Sequence, residues 1–241
     1  MSLDHHAPGE DQQAPRLTII LVPFRLNQLR LDAAHRAGTR FGTTLITGHP
    51  DPGEPLDAAA SRLVVEWFGV PAQYVEQLYT LSVDRTGRQE VAIGYIVLFR
   101  QDADLGHADD RVVWSPVDQL HIHDGTHRMV FDYALVRLRA KLGYTNIAFH
   151  LLPVQFTLSE LQQTYETVLG HQVDKRNFRR RMVASGNLTK THQLRRDGSH
   201  RPAALYQFAA QDDHAAYLTP SWAAATQSYR MAQINDDSSG A

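Results

Sequence analysis

The apolar positions in the first 142 residues follow two different periods. Residues 17–24 form a continuous apolar run with several β-branched side chains, which predicts a buried strand. Residues 55–68 place apolar side chains three and four positions apart, which predicts a helix that ends at Gly69-Val70-Pro71. The same patterns predict strands near residues 29–31, 43–47, 74–83, 91–99 and 112–114, and a helix over residues 128–142. Strands interleaved with two helices predict a layered α+β domain.

The pattern changes after residue 146. Residues 147–152 form a short apolar run, which predicts another strand. Residues 157–169 carry an apolar stripe of helical spacing, and Thr157 and Glu160 have the spacing of a capping box at its start. Gly170 then begins a short turn. We therefore expect this helix to be followed closely by another element.

That next element is predicted to be a basic helix that begins after Asp174. The Asp174 carboxylate can accept hydrogen bonds from the free N–H groups of the first helical turn. Phe178 and Met182 fall on one face of this helix, and its arginines point away from that face. The helix is expected to end at Gly186-Asn187, two residue types that tolerate a left-handed backbone.

A β-hairpin is predicted after the basic helix. Residues 189–195 and 203–208 flank the turn sequence Asp197-Gly198-Ser199. Helix, short turn, basic helix and hairpin is the order of a winged helix-turn-helix, whose second helix enters the major groove of DNA. The pattern therefore predicts a DNA-binding module.

The ends of the chain carry no apolar period. Residues 1–15 are polar and include two prolines, which predicts a disordered tail, and residues 231–241 predict a flexible tail. Between them we expect two domains, over residues 16–145 and 146–230.

Composition narrows the class of protein. The chain has no cysteine, which excludes disulfides and thiolate metal sites. It has no run of about 18 apolar residues and no signal-peptide pattern. We therefore expect a cytoplasmic protein with no membrane partner.

Charge is unevenly distributed along the chain. Residues 174–201 hold nine of the 24 Lys and Arg residues and only two Asp residues. Residues 147–215 carry nine basic and six acidic side chains, a balance of +3, and the remainder carries fifteen basic and twenty acidic ones, a balance of -5. A basic module on an acidic body is typical of a protein that presents one surface to phosphates.

A spaced set of residues surrounds the predicted helix at 55–68. The set is Gly48, Glu54, Arg62, Val64, Glu66, Gly69 and Val70. On these residues, the segment 17–142 resembles the Nudix domain, the hydrolase fold that cleaves nucleoside diphosphates linked to another moiety. The resemblance implies an α/β/α sandwich. Two glutamates of the Nudix signature are replaced here, by Leu63 and Trp67.

The two replacements bear directly on hydrolysis. Cleavage of a diphosphate uses a divalent metal ion, and Mg²⁺ is held by clustered carboxylates. Leu63 and Trp67 offer no oxygen ligand and lie one helical turn apart. We therefore predict that the chain is not an enzyme, that it has no catalytic residue and no metal site, and that it requires no cofactor.

A degenerate Nudix signature followed by the basic helix and hairpin resembles the Nudix-related transcriptional regulators of NAD metabolism. The resemblance covers residues 17–210 and is strongest over residues 148–208. It implies a homodimeric repressor of NAD biosynthesis or salvage genes whose Nudix domain senses a NAD-related nucleotide such as ADP-ribose. A two-fold dimer presents two recognition helices about one turn of DNA apart, so we expect a palindromic operator in double-stranded DNA.

The resemblance also implies which side chains face the DNA. The predicted set is Thr157, Lys175, Arg176, Asn177, Arg179, Arg180 and Arg201. Arginine pairs with guanine and asparagine with adenine in the major groove, which makes Arg176, Asn177 and Arg180 the candidates for base edges. Lys175 and Arg179 are expected to reach only the phosphate backbone.

The predicted effector-binding set combines basic residues near the second strand with the charged residues of the Nudix signature. It consists of Arg36, Arg40, Glu54, Arg62 and Glu66. The sequence leaves open which nucleotide binds and whether it releases or promotes DNA binding.

Three alternatives remain open at this point. The chain could be a nucleotide pyrophosphohydrolase, acting on a substrate such as ADP-ribose, with an accessory DNA-binding domain. It could instead be a scaffold that binds a partner protein through its basic helix. His121, His123 and His127 with Asp124 could form a zinc site, although Asp124 or Thr126 at the start of a helix is the preferred interpretation of that segment.

Overall fold

The computed structural model describes residues 15–39, 42–85, 88–105, 109–196 and 202–209. The predicted tails lie outside the described residues, apart from Pro15, as do the hairpin turn at 197–199, Arg40 and Arg201. No helix within the described ranges is long and apolar enough to cross a membrane.

The first part of the described chain forms a mixed sheet with two helices. Its elements are β1 Arg16–Asn27, β2 Arg30–Thr39, β3 Gly42–Thr44, β4 Ile46–Gly48, α1 Leu56–Phe68, β5 Tyr74–Arg85, β6 Arg88–Leu98, β7 Val112–Pro116 and α2 Gly125–Leu142. The strand order is β3-β2-β1-β6-β5, with β4 paired to β1 and β7 paired to β2. Strands β1 and β6 are parallel, and the other pairings are antiparallel.

The sheet has an apolar layer on each face because side chains alternate along β1. Ile19 and Leu21 are buried in one cluster with Leu63 and Phe68 of α1. Ile20, Val22 and Phe24 are buried in the other cluster, which α2 covers. This arrangement is the predicted α/β/α sandwich.

The second part of the described chain is a helical pair beside a small sheet. Its elements are a 3₁₀ turn Ile147–His150, β8 Phe156–Thr157, α3 Leu158–Leu169, α4 Lys175–Ala184, β9 Leu188–Arg195 and β10 Ala203–Phe208. The sheet order is β8-β10-β9, all antiparallel. This confirms the predicted winged helix-turn-helix, with strand limits within one residue of those expected for the hairpin.

The two parts share buried surface. The apolar cluster under α2 continues through the 3₁₀ turn into α3 and α4, where it includes Leu161, Tyr165 and Phe178. Arg139 of α2 donates a hydrogen bond from Nε to the carbonyl oxygen of Val168 in α3, at 2.9 Å. The sandwich and the winged helix are therefore in direct contact.

The predicted strand over residues 147–152 is wrong. The N–H of Phe149 bonds to the carbonyl of Asn146 and that of Leu151 to the carbonyl of Ala148, which are three-residue spacings of a 3₁₀ turn. Ile147 and Leu151, four residues apart, are both buried. A short apolar run fits a buried strand and a buried helical turn equally well, and here tertiary packing selected the turn.

Candidate nucleic-acid interface and effector cavity

Helices α3 and α4 are joined by a turn that several local contacts stabilise. Gly170 closes α3 in the left-handed region, at φ 79°, which a residue with a Cβ rarely adopts. Glu166 accepts the N–H of Val173 at 3.0 Å, and Asp174 accepts the N–H of Asn177 at 2.7 Å.

An aromatic contact joins the two helices. The rings of Phe178 and Tyr165 pack edge to face, with centroids 5.0 Å apart. These contacts hold α4 against α3 by its apolar face.

The opposite face of α4 presents cations to solvent. Lys175, Arg176, Asn177 and Arg180 are exposed. Within the described chain, Lys175 and Arg176 have no hydrogen-bond or ion-pair partner. Arg180 donates to the side-chain oxygen of Asn177 at 3.0 Å and has no acidic partner there. The predicted base-reading residues are thus brought together, and no acidic side chain among the described residues neutralises their positive charge.

Arg179 has a different environment. It is half-buried, and it donates from Nη2 to the Ser159 hydroxyl of α3 at 2.8 Å. This bond links the two helices. Arg179 therefore positions α4 in addition to any contact that it makes with phosphate.

Thr157, which the sequence predicts to face DNA, also makes hydrogen bonds within the protein. Its side chain is buried, and its hydroxyl accepts the N–H of Glu160 at 3.1 Å. The Glu160 carboxylate accepts the N–H of Thr157 at 2.6 Å in return, which completes the capping box. The hydroxyl oxygen caps the start of α3, and a contact of Thr157 with DNA stays a prediction.

The hairpin contributes a contact that the sequence pattern did not indicate. Arg195 of β9 forms an ion pair with Glu160 at 2.5 Å and donates to the carbonyl of Gln155 at 3.2 Å. The wing is therefore tied to the start of α3. Lys190 and His192, also on β9, are exposed. A separation of 35 residues between Arg195 and Glu160 gives no local sequence signal.

The charged residues of the Nudix signature form a compact ion-pair cluster on α1. Arg62 donates from Nε and Nη2 to the two carboxylate oxygens of Glu54, at 2.9 and 2.7 Å. It also donates from Nη1 to Glu66 at 2.7 Å and from Nη2 to the carbonyl of His49 at 3.0 Å. Hydrogen bonding from Arg62 lowers the pKa of Glu54 to about 2. Hydrogen bonding to Glu54 and Glu66 raises the pKa of Arg62.

This cluster does not fit a divalent metal ion. Glu54 and Glu66 are the surviving carboxylates of the signature, and a guanidinium group already occupies the space between them. Within the described residues, no group of three or more His, Asp or Glu side chains could hold a metal. Mg²⁺ needs several oxygen ligands in octahedral geometry, and these residues do not supply them.

Leu63 and Trp67, which replace two glutamates of the Nudix signature, make contacts of a different kind. Leu63 is buried and packs so closely on Gly48 that a Cβ at Gly48 would lie 2.2 Å from its side chain. Trp67 is half-buried, and two guanidinium groups lie over its ring, those of Arg36 at 5.3 Å and Arg111 at 4.9 Å from the centroid. One replacement serves packing, and the other forms a cation–π contact with basic residues.

A cavity of about 430 Å³ opens between the sheet and the start of α2. Its polar lining includes Arg16, Thr18, Arg36, His49, Glu90 and Asp124. Arg16 lies 2.6 Å from the His49 ring, and Thr18 donates to Glu90. Of the predicted effector set, Arg36 lines the cavity, whereas Glu54, Arg62 and Glu66 belong to the ion-pair cluster beside His49.

The histidine segment does not assemble the alternative zinc site. His121 lies 2.9 Å from the carbonyl of Gln119. His127 accepts the N–H of Leu45 at its Nδ1, 3.0 Å away. Asp124 caps α2 by accepting the N–H of His127 at 3.0 Å, as the preferred interpretation expected.

Comparisons with known proteins agree with this architecture. The model of the NrtR DNA-binding winged helix domain matches residues 148–208. The chain is 36% identical, over 84% of its length and 85% of the relative's, to the ADPR responsive transcriptional repressor NtrR of Acinetobacter baylyi.

Solved structures show the same two-part arrangement. Shewanella oneidensis NrtR in complex with a 27mer DNA matches with a TM-score of 0.71 and 27% identity, over 80% of this chain and 93% of that chain. A MutT/nudix family protein from Enterococcus faecalis shares the fold, with a TM-score of 0.63 at 19% identity over 85% of this chain and 90% of that chain. Taken with the winged helix and the sandwich, these similarities show that the chain belongs to the NrtR family of Nudix-related transcriptional repressors.

Proposed function

We propose that the chain represses NAD biosynthesis or salvage genes by binding a palindromic operator as a homodimer, under the control of a NAD-related nucleotide such as ADP-ribose. The observation that carries the proposal is the exposed face of α4, whose cations have no acidic partner in the described chain. Such a face gains free energy when it displaces counterions from DNA phosphates.

The contacts on DNA divide by residue type. Arg176, Asn177 and Arg180 read base edges, because a bidentate arginine recognises guanine and an asparagine recognises adenine. Lys175 binds phosphate and sets the register of the helix. Arg179 holds α4 on α3 through Ser159 and reaches phosphate at most from the edge of the helix. Arg201, in the predicted wing, stays a prediction because it lies outside the described residues.

The way in which such helices recognise DNA supports the proposed homodimer. One α4 helix reads only a few base pairs, and two copies related by a two-fold axis read a site with matching symmetry. We therefore expect two half-sites separated by about one turn of DNA.

The effector enters the cavity between the sheet and α2. The Acinetobacter relative is described as ADPR responsive. A volume of about 430 Å³ is in the range of small-molecule sites. Arg16 can meet a diphosphate, and the carboxylates of Glu90 and Asp124 can accept hydrogen bonds from ribose hydroxyls. The cavity therefore offers the two kinds of group that such a nucleotide requires.

The chain acts as a regulator, and we infer that its Nudix hydrolase activity is lost. The support comes from the two surviving glutamates of the Nudix signature, Glu54 and Glu66, because both carboxylates are hydrogen-bonded to Arg62. Incubation of the purified chain with ADP-ribose and Mg²⁺ should release no AMP above a protein-free control. Steady release of AMP would instead support the pyrophosphohydrolase alternative.

The main test is a DNA-binding titration. Fluorescently labelled DNA from upstream of NAD-synthesis genes is titrated with the full chain at physiological salt, with and without ADP-ribose. We expect specific binding that exceeds binding to a scrambled duplex and that changes when ADP-ribose is present. Equal affinity for operator and scrambled DNA would refute the repressor proposal, and an operator affinity unaffected by ADP-ribose would refute the effector.

A further inference from the structure

The last turn of α3 is held by a side chain of the sandwich. The final carbonyl groups of a helix have no N–H partner within the helix. At the end of α3, the N–H of Gly170 bonds to the carbonyl of Glu166 at 2.9 Å. The carbonyl of Val168 accepts a hydrogen bond from Nε of Arg139, which belongs to α2, at 2.9 Å. The sandwich therefore helps to close the helix that leads into the turn before α4.

Arg139 is in an unusual position for a charged side chain. It is half-buried, and burial lowers the pKa of its guanidinium. No ion pair joins it to an acidic side chain among the described residues. Its positive charge instead meets the partial negative charge at the C-terminus of α3. Because a partly buried cation without a partner is costly, this bond favours one placement of α3 against α2.

The other end of α2 borders the effector cavity. Asp124, Thr126 and His127, at the start of the helix, line the cavity. His127 is buried, and its Nδ1 accepts the N–H of Leu45 at 3.0 Å, which ties the first turn to the chain between β3 and β4. Along the helix axis, His127 and Arg139 are about 18 Å apart. Helix α2 therefore runs from the cavity to α3.

Between these two ends, α2 packs closely on the sheet. A Cβ at Gly94 of β6 would lie 2.9 Å from the Val130 side chain. Nearer the end of α2, Arg137 and Lys141 are hydrogen-bonded to Glu76 of β5. Closely packed interiors transmit strain, and rigid helices can carry coupling between distant sites. A shift of the first turn of α2 is therefore expected to reach Arg139.

We propose that Arg139 is the positioning residue that couples the effector cavity to the DNA-reading helix α4. This inference rests on the proposed function, since it presumes that a nucleotide in the cavity changes operator binding. It goes further by naming the contact through which the change travels. A nucleotide that fills the cavity contacts the first turn of α2, and Arg139 passes a shift of α2 to the carbonyl of Val168, just before the turn to α4.

The hydrogen bond suits this role better than the apolar contacts beside it. Leu138 and Leu142 of α2 belong to the same buried cluster as Val168. Apolar contacts have no preferred direction, whereas a hydrogen bond weakens steeply when its angle falls below about 120°. A small shift of α2 therefore changes the bond to Val168 while the apolar cluster stays closed.

The first experiment measures the ratio of operator dissociation constants of the full chain with and without saturating ADP-ribose. In the wild-type chain we expect this ratio to differ from one by about fivefold or more, the lower end of typical couplings. Arg139→Met keeps a long apolar stem but removes the donor and the charge, and it should bring the ratio to within about twofold of one. Isothermal titration calorimetry should show that this variant still binds ADP-ribose, because Arg139 lies away from the cavity.

Arg137→Met is the matched control. Arg137 is a half-buried arginine of the same helix, but it bonds to Glu76 and Tyr144 and not to α3. This variant should keep the wild-type ratio, and Arg139→Lys, which keeps a cation at the end of α3, should keep part of it. A wild-type ratio in Arg139→Met, or equal losses in the two methionine variants, would overturn the inference and leave the proposed effector intact. A ratio of one in the wild-type chain would overturn both.

Hydrogen exchange provides a test that does not depend on operator binding by the variant. ADP-ribose is added to the full chain without DNA, and amide exchange is followed in peptides that cover residues 164–178. We expect ADP-ribose to change exchange there in the wild-type chain and in Arg137→Met, and to leave it unchanged in Arg139→Met. The same change in Arg139→Met as in the wild-type chain would overturn the role of Arg139.

Discussion

Helices α1 and α4 both carry arginine on their outer faces, and the two helices use it in opposite ways. On α1, Arg62 makes hydrogen bonds to Glu54, Glu66 and the carbonyl of His49. On α4, Arg176 has no partner in the described chain, and Arg180 contacts only the amide of Asn177. The same side chain therefore closes a local network in one helix and stays available to an external ligand in the other.

The difference shows how position in a network decides the role of a charge. An ion pair near the surface contributes little to stability, and its charge is not offered to a partner molecule. An unpaired cation on a rigid helix contributes its free energy only when phosphate arrives and counterions leave. Clusters of arginine thus indicate function only when their acidic partners are known.

The largest expected effect comes from loosening α4 from its support. Phe178 is buried against Tyr165, and Phe178→Ala removes that ring. Truncation of a buried phenylalanine costs about 3–5 kcal/mol. We expect a lower midpoint in urea denaturation and loss of operator binding, because α4 no longer presents its cations in a fixed geometry.

Val183→Ala is the control for this variant. Val183 lies on the same helix but is 55% exposed. Its truncation should change the free energy of unfolding by no more than about 0.5 kcal/mol. Equal stability of the Phe178 and Val183 variants would mean that α4 is not held by its apolar face.

The next effect concerns the unpaired cations themselves. Arg176→Ala and Arg180→Ala should each cost about 1–3 kcal/mol of operator-binding free energy, and they should relax specificity at one base position. Thermal unfolding should stay unchanged, because neither side chain has an acidic partner in the described chain. The measurement is a fluorescence anisotropy titration at fixed salt.

Arg128→Ala is the matched control for these two variants. It removes an exposed arginine from α2, where Arg128 pairs with Asp132 at 2.7 Å. Operator affinity should stay at the wild-type value. A loss of affinity equal to that of Arg180→Ala would show that net charge, and not the face of α4, determines binding.

What the sequence could predict was local. The capping box at Thr157 and Glu160, the Asp174 cap and the two hairpin strands are encoded within a few residues, and each is confirmed. The fold class followed from such elements together with the spacing of the Nudix signature. Short-range signals were enough to predict α3 and α4 because residues at the ends of these helices cap their free backbone groups.

The features that the sequence did not predict depend on contacts between residues that are distant along the chain. Arg36 and Trp67 are far apart along the chain, and nothing near either residue indicates that they meet. The ion pair of Arg195 with Glu160 and the cavity lining are of the same kind. The 3₁₀ turn was missed for a related reason, since only the surrounding core decides between two structures that its short apolar run permits.

A smaller effect separates the two roles of Thr157, the helix cap that the structure shows and the DNA contact that the sequence predicts. Thr157→Ala removes the capping oxygen and should cost about 1 kcal/mol of unfolding free energy. Thr157→Ser keeps the oxygen and should restore that stability. Both variants should bind operator with wild-type affinity under conditions where they are fully folded. Weaker operator binding by the alanine variant, with unchanged stability, would show that Thr157 contacts DNA.

The smallest expected effect is on the pKa of Glu54, and it tests whether Arg62 of α1 is held in a local ion pair. The Arg62 guanidinium lowers the pKa of Glu54 from its ordinary value of 4.5 to about 2. Because the folded-state pKa is depressed, the stability from this pair is fully present above about pH 4.5 and is lost as the pH falls towards 2. In Arg62→Gln, an NMR titration of the side-chain carboxyl carbons should show the pKa of Glu54 rising towards 4.5. Asp109, also held near 2, provides an internal control because its partner Arg111 is unchanged, so its pKa should not move. A Glu54 pKa that stays near 2 without Arg62 would show that another group keeps this carboxylate ionised, and the Arg62–Glu54 pair would then not be what distinguishes α1 from α4.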